Sequence, residues 1–270
     1  MKICIVIPVM NKLHFTKQCL DDLNETTNKT VEIIVIDNAS TDGTEDYLAT
    51  QKKILVISNS SNMGCAFSWN QGIKASNSDW IVILNNDVRL SKKWLDNLIE
   101  QATKNHTDVI SPGMREGELD YDFNQYAENY TAKMKNVFRG CTPSGVCFAA
   151  KSFVFNKIGL FDENYHIGQY EDADFFRRCK KLNFKMGITG GSFIHHYGST
   201  TQKHIQARLK NDYSSKNRIY HREKWKIGFI QRHYERYRDQ LRTFYWSRKE
   251  LLLYHHSLLE KGDCGKIKYF

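Results

Sequence analysis

Trp80-Ile81-Val82-Ile83-Leu84-Asn85-Asn86-Asp87 joins five consecutive apolar residues to three small polar ones. A short unbroken apolar run bounded by turn residues fits a strand buried on both faces, because a strand with one wet face would alternate. The change at Asn85 marks the carboxyl end of that strand and delivers a carboxylate, Asp87, to whatever lies beyond it. An Asn-Asn-Asp turn capping the next helix is the competing reading.

Outward from this stretch the same pattern recurs. Residues 2–9, 31–37 and 54–58 are further β-branched apolar runs, separated by helix-length segments. Within those segments Phe15, Cys19, Leu20 and Leu23 recur at helical spacing, as do Trp94, Leu95, Leu98 and Ala102 and, less cleanly, Phe67, Gln71, Ile73 and Lys74. Apolar strands alternating with amphipathic helices predict an α/β fold, a mostly parallel central sheet with helices on both faces. Ligands of such sheets sit beyond the carboxyl ends of the strands. The first run closes in Pro8-Val9-Met10-Asn11 and the second in Asp37-Asn38-Ala39-Ser40-Thr41-Asp42-Gly43-Thr44, so three polar clusters face the same edge. From about 113 to 140 the periodicity fails among tyrosines, acids and asparagines, which predicts an insertion or mobile loop flanking the site. After Lys203 the pattern is helical to the end, without proline.

The chain has 270 residues, enough for one large α/β domain with an appendage. Only three prolines and 41% hydrophobic residues exclude a disordered chain. Residues 3–7 are too short for a signal-peptide core, and no window approaches the 18 apolar residues of a membrane span. Seven cysteines without a Cys-x-x-Cys suggest neither a disulfide framework nor a zinc site and fit a reducing cytoplasm. The net charge of +9 lies entirely in residues 200–250, which hold fourteen Lys/Arg against five Asp/Glu. That segregation suits an anionic surface or a solvated helix.

Two further stretches carry chemistry. Tyr170-Glu171-Asp172-Ala173-Asp174 opens an apolar-periodic segment with three acids, which either answer a helix dipole or supply a base for a hydroxyl, one charge raising its neighbour's pKa. Phe193-Ile194-His195-His196 ends an apolar run with two imidazoles, packing residues or the completion of a metal shell begun by Asp87. A hard cation bridging two phosphates takes only one or two carboxylates from the protein.

In this order the motifs resemble family 2 glycosyltransferases of the GT-A, Rossmann-like fold, over residues 2–200. The resemblance rests on Ile5-Val6-Ile7-Pro8-Val9 with Asn11, the run 35–44, Asn62-Met63-Gly64 with Asn70 and Gly72, residues 84–87, Gly159 with Phe161-Asp162-Glu163, Glu171-Asp172 with Asp174, and His195-His196 with Gly198. Bacterial polysaccharide and rhamnosyltransferase-like members are the nearest in character. The resemblance implies a catalytic domain over 1–200, with a nucleotide-sugar half to about 112 and an acceptor half from 113, followed by a basic aromatic helical extension over 201–270.

It implies further that Pro8, Val9, Asn11, Asn62, Gly64, Asn85 and Asn86 line the nucleotide and that Asp37 hydrogen-bonds the base. Asp87 would bind Mn2+ or Mg2+ with His195 or His196, His195 preferred, and Asp172 would be the catalytic base. Glu171 and Asp174 would lie on the acceptor and donor-sugar side. The implied reaction is inverting transfer from a nucleoside-diphosphate sugar to a hydroxyl of a glycan, lipid-linked or protein acceptor. Asn85 departs from the family's Asp-x-Asp and leaves an inactive sugar-nucleotide-binding protein as an alternative. A nucleotidyltransferase is a weaker one, because the loop after the first strand has no glycine.

The tail is read from physics. Phe229, Ile230, Tyr234, Tyr237, Leu241, Phe244 and Tyr245 fit one helical face, with Arg232, Arg236, Arg238 and Arg242 among or opposite them. Such a helix suits an anionic membrane at residues 228–250, the chain's own catalytic domain, or a homo-oligomer contact. The first would make a cytoplasmic protein peripheral at the inner membrane face. No specific nucleic acid is expected.

Overall fold

The fold is described by a computed structural model covering residues 1–27, 30–198, 213–263 and 266–269. The expected boundary at 200/201, the start of the helical tail at 203 and Cys264 lie outside these residues.

The nucleotide half alternates as expected: β1 (Ile3–Val9), α1 (Leu13–Thr26), β2 (Glu32–Asp37), α2 (Thr44–Ala49), β3 (Leu55–Ser58), α3 (Cys65–Ala75), β4 (Trp80–Leu84), β5 (Val88–Leu90) and α4 (Trp94–Lys104). Then follow β6 (Val109–Glu116), α5 (Phe123–Met134), β7 (Phe138–Arg139), β8 (Cys147–Lys151), α6 (Ser152–Ile158), α7 (Glu171–Lys181) and β9 (Met186–His196). The C-terminal part holds α8 (Tyr213–Lys224), α9 (Phe229–Tyr254), β10 (Leu259–Asp263) and β11 (Lys266–Tyr269). The sheet runs β11-β10-β6-β8-β4-β1-β2-β3, with β9 beside β6 and the short β5 and β7 paired to β9. β1 pairs in parallel with β2 and β4, and β6 with β9 and β10, while β8 is antiparallel to both β4 and β6.

Alternation along β1 shows why the sheet needs two helical layers. Ile3, Ile5, Ile7 and Val9 pack with Cys19, Leu20 and Leu23 of α1 and Trp94, Leu95 and Leu98 of α4. Cys4 and Val6 point the other way, among Ala66 and Trp69 of α3 and Phe175, Phe176 and Cys179 of α7. Burying side chains of this size contributes roughly 1.5–3 kcal/mol each. The expected face of α3 is corrected: Ala66, Trp69, Asn70 and Gly72 are buried and Phe67 only partly. A Cβ at Gly72 would stand 2.3 Å from a Val6 methyl, so glycine is what lets α3 lie against β1.

Two other expectations are corrected. Residues 113–140 are no loop: β6 continues to Glu116, and α5 follows Asp122, whose side chain accepts from the Gln125 amide at 3.0 Å. The buried stripe of α5 is Phe123, Ala127, Tyr130 and Met134, a helical spacing that tyrosine and alanine conceal. The chain is likewise not helical to its end. His255 takes a left-handed conformation (φ 60°) and stops α9, after which β10 joins β6 with Leu259 opposite Met114.

Candidate active site

Because β1, β2 and β4 are parallel neighbours, their carboxyl ends emerge on one edge, with Val9 level with Asp37. Asp37 is buried and its Oδ1 accepts from the Ser40 amide at 3.1 Å and the Ser40 hydroxyl at 2.5 Å. Ser40 Oγ in turn accepts from the Asn11 amide at 2.7 Å, and Asn11 Oδ1 accepts from the Thr41 amide at 2.8 Å. These bonds hold Asn11 in the left-handed region (φ 56°), where asparagine is one of the few tolerated residues. Pro8 is half-buried beside a buried Val9. Asn62 Oδ1 accepts from the Gly64 amide at 2.9 Å, and Gly64 (φ 86°) could carry no Cβ without meeting the Ile167 backbone at 3.0 Å.

The residues after β4 divide in role. Asn85 donates its amide to the Val146 carbonyl at 2.9 Å, and the Asn86 side chain turns inward to the Thr16 hydroxyl at 3.0 Å. Asp87 is buried, with Oδ1 3.4 Å from His196 Nε2. His196 Nδ1 lies 3.4 Å from Glu116 Oε2 on the adjoining strand, with which it is in register. Burial works against a charge on this imidazole, but the two carboxylates outweigh it and raise its pKa to about 9. Glu116, a residue the motif reading missed, is drawn down to about 2, chiefly by the His196 contact.

The preference for His195 is reversed. Successive strand residues point to opposite faces, so only one of the pair can meet Asp87. His195 turns instead to the Tyr121 hydroxyl, 2.8 Å from Nδ1, and burial holds its pKa down to about 4. Asp87 could supply an oxygen to a small hard cation, and His196 Nε2, 3.4 Å away, could join it only by giving up the proton that the two carboxylates hold on the imidazole. Among the described residues no cluster of three His, Cys, Asp or Glu side chains encloses such an ion. Phosphate oxygens and water would complete its shell.

The third component is the head of α7. Among the described residues Glu171 is buried with Oε2 unpartnered, and Asp172 is partly exposed and accepts only the Ala173 amide, at 2.8 Å. Burial raises the pKa of Glu171, and the Asp172 charge raises it further; burial raises Asp172 as well, against the pull of its backbone hydrogen bonds. Asp174, one turn position away, is different. It is fully buried and receives Arg178 at 2.8 Å, Trp225 at 2.8 Å and Lys224 at 2.7 Å. Its placement on the sugar side is therefore corrected: it fastens α8 to α7.

Three features missed in the sequence shape this head. A Cβ on Gly145 would fall 2.0 Å from Asp172 Oδ2, so the bare backbone there makes room for the carboxylate. The loop before α7 is strained, with Ile167, Gln169 and Tyr170 at φ 62°, 76° and 77°. Asn217 of α8 holds it, donating Nδ2 to the carbonyls of His166, Gly168 and Gln169 at 2.9–3.1 Å and accepting the His166 amide at 3.1 Å. Finally, burial first, and then the charges of Glu171, Asp172 and Asp87 together, push the Cys65 thiol up. Carboxylates distant in sequence thus converge around the start of α3.

The comparisons fit this geometry. A family model described as glycosyl transferase family 2 matches residues 4–228. The uncharacterized glycosyltransferase YwdF of Bacillus subtilis is 28% identical over 189 residues, 67% of this chain and 69% of that protein. Two other curated relatives are matched over only 33% and 37% of their length, so the chain spans about a third of each. Among solved structures, S. aureus TarS 1-349 in complex with UDP superposes with a TM-score of 0.59 at 17% identity, over 72% of this chain and 60% of that one. GalNAc-T7 with UDP, GalNAc and Mn2+ gives 0.58 at 13%, over 79% and 49%. Those two likenesses establish a shared GT-A fold. With the family match covering most of its length, this chain belongs to glycosyl transferase family 2.

Proposed function

We propose that the protein transfers a sugar from a nucleoside diphosphate to an acceptor hydroxyl with inversion at the anomeric carbon, Asp172 acting as the base. The observation that carries this reading is the contrast on one helical turn: Asp174 is saturated by three donors from basic and indole groups, while Asp172, among the described residues, accepts a single amide and meets no cation. A carboxylate with a raised pKa and no cationic partner is suited to accept a proton.

Asp37 Oδ2, Asn11 and the Asn62-Met63-Gly64 turn would hold the nucleotide at the strand edge, as the UDP complex of the TarS neighbour suggests. Asp87 and His196 would hold Mn2+ or Mg2+, with Glu116 fixing the imidazole so that Nε2 faces the site. Bound there, the ion would offset the charge that builds on the departing diphosphate. Asp172 takes the proton of the acceptor hydroxyl. That oxygen bonds to the anomeric carbon from the face opposite the diphosphate, whose C–O bond breaks, and the carbon inverts in one displacement. The acceptor is a glycan, lipid-linked or protein hydroxyl. Family membership sets the nucleotidyltransferase alternative aside.

The test screens UDP-, GDP- and dTDP-sugars with Mn2+ or Mg2+, comparing wild type with Asp172→Asn and following product configuration by NMR. Removing the base should lower kcat by about 10²–10⁴ while donor affinity stays near wild type. Retained configuration, or turnover undiminished in the variant, would overturn the mechanism; nucleotide-sugar binding with no turnover in wild type would favour an inactive binding protein.

A further inference from the structure

We propose that the outward face of α9, with the basic cavity on its flank, docks the protein onto an anionic phospholipid surface. The helix is 26 residues long, yet only Ser247 and Glu250 are buried. Ile230, Tyr234, Tyr237, Leu241 and Phe244 recur three or four residues apart and all stand at least half exposed, Ile230 at 83%, and Leu252, two turns further on, is 81% exposed. A stripe this apolar on the protein's surface marks a contact. The expectation that it packs on the catalytic domain is thereby corrected.

Charge selects the occupant. All three acids of α9 are engaged: Glu235 by Arg177 at 3.0 Å, Glu250 by Arg139 at 2.6 Å and Asp239 by Arg238 at 2.8 Å. Among the described residues, Arg232, Arg236, Arg242, Arg248 and Lys249 form no ion pair. An apolar aromatic stripe bordered by unpaired cations is the composition of a helix lying in the plane of an anionic interface, its rings at headgroup level and its cations reaching phosphates. The same spacing would suit a second copy of the helix, but pairing two such faces would bring unpaired arginine rows together.

Beside the stripe lies a cavity of about 500 Å³ lined by Arg238, Asp239, Arg242 and Trp246 of α9, by Lys180 of α7 and by Phe184 just beyond it. The Arg242 guanidinium lies over the Trp246 ring at 4.6 Å, which holds a cation at the cavity wall. A single phosphate headgroup matches this lining. Lys180 is eight residues beyond Asp172, about 12 Å along α7, so docking would place the reaction close to the lipid surface.

The test is co-sedimentation of the full chain with vesicles of phosphatidylcholine alone and of phosphatidylcholine with phosphatidylglycerol. Retention needs no turnover, so its failure is separate from failure of the proposed reaction. Wild type should bind the anionic vesicles at least about tenfold more tightly, with the advantage shrinking as salt rises. Leu241→Glu/Tyr245→Glu and Arg236→Glu/Arg242→Glu should each abolish that advantage while circular dichroism stays unchanged, since these side chains are exposed. Equal retention on both vesicles, undiminished binding of the variants, or a dimer that Leu241→Glu/Tyr245→Glu splits without any vesicle binding would overturn the proposal.

Discussion

The loops after β1 and β2 and the head of α7 are both strained, but they differ in how their polar groups are satisfied. In the first, Asn11, Lys12 and Ala39 adopt positive φ while Asp37, Ser40, Asn11 and Thr41 close a chain of hydrogen bonds. At the second, three residues in succession but one take positive φ, and they present Glu171 with an unpartnered oxygen and Asp172 with one amide. A surface that must hold a ligand in one pose gains from saturated, rigid groups. A group that must take a proton gains from being left undersatisfied. In the proposed reaction the same device, backbone strain held by side-chain bonds, would serve binding in one place and proton transfer in the other.

The sharpest way to break that contrast is Gly145→Ala. The new methyl would occupy the space of Asp172 Oδ2 and force the carboxylate to rotate, because its own Cγ and Cβ lie within 2.9 Å of the same point. A base displaced by about 1 Å costs on the order of 100-fold in rate. The expected result is a kcat lowered by about that factor with donor affinity, read by calorimetry, near wild type. An unchanged kcat in a folded variant would show that Asp172 need not stand where it does.

A smaller effect should follow Asp37→Ala, which breaks the other side. The Ser40 amide and hydroxyl lose their acceptor, and in the proposed site the nucleotide loses the carboxylate assigned to its base. Losing hydrogen bonds to a charged acceptor costs about 1.5–3 kcal/mol. Donor affinity should therefore fall by about tenfold or more and urea unfolding should shift to lower denaturant, whereas kcat at saturating donor should hold. A fall in kcat at full saturation would mean that the two regions are not separable.

The saturated region was the legible one. Its strands are unbroken apolar runs and its polar residues sit in one contiguous stretch each, so periodicity and turn chemistry placed Asp37 and Asp87 at the right edge. The rest depends on contacts between distant residues. Gly145 has no local mark of lying under Asp172, and Asn217 is an ordinary helical asparagine until the carbonyls of 166–169 are seen around it. α5 buries tyrosine and alanine where leucine would have announced a helix, and β10, between β11 and β6, is a short strand of mixed polarity. For His195 and His196 the alternation of a strand already forbade both from meeting Asp87. Choosing between them took the register that sets His196 against Glu116.

The finest effect expected at the head of α7 is a change in pH dependence. Asp172 works ionised, and burial raises its pKa above the ordinary aspartate range, so activity should rise with pH through that raised value. Glu171 beside it is raised by burial and then by the Asp172 charge, and each ionisation hinders the other. Glu171→Gln removes one of the two charges while keeping the shape. Glu171, raised to about 8, stays protonated while Asp172 ionises, so the glutamine should leave the acidic limb of kcat/KM in place and remove only the second ionisation near pH 8. Stability gives an independent reading with a definite sign. A carboxyl whose pKa is raised by folding stabilises the native state below its unfolded pKa, and that stabilisation is lost as pH rises through the folded value. The variant should therefore match wild type in acid and become the more stable of the two as pH rises beyond the ordinary glutamate range, a divergence that thermal unfolding across pH will show. An acidic limb that moves in the variant, or stability curves that stay parallel, would mean that Glu171 is already ionised while Asp172 titrates and that burial does not hold its proton.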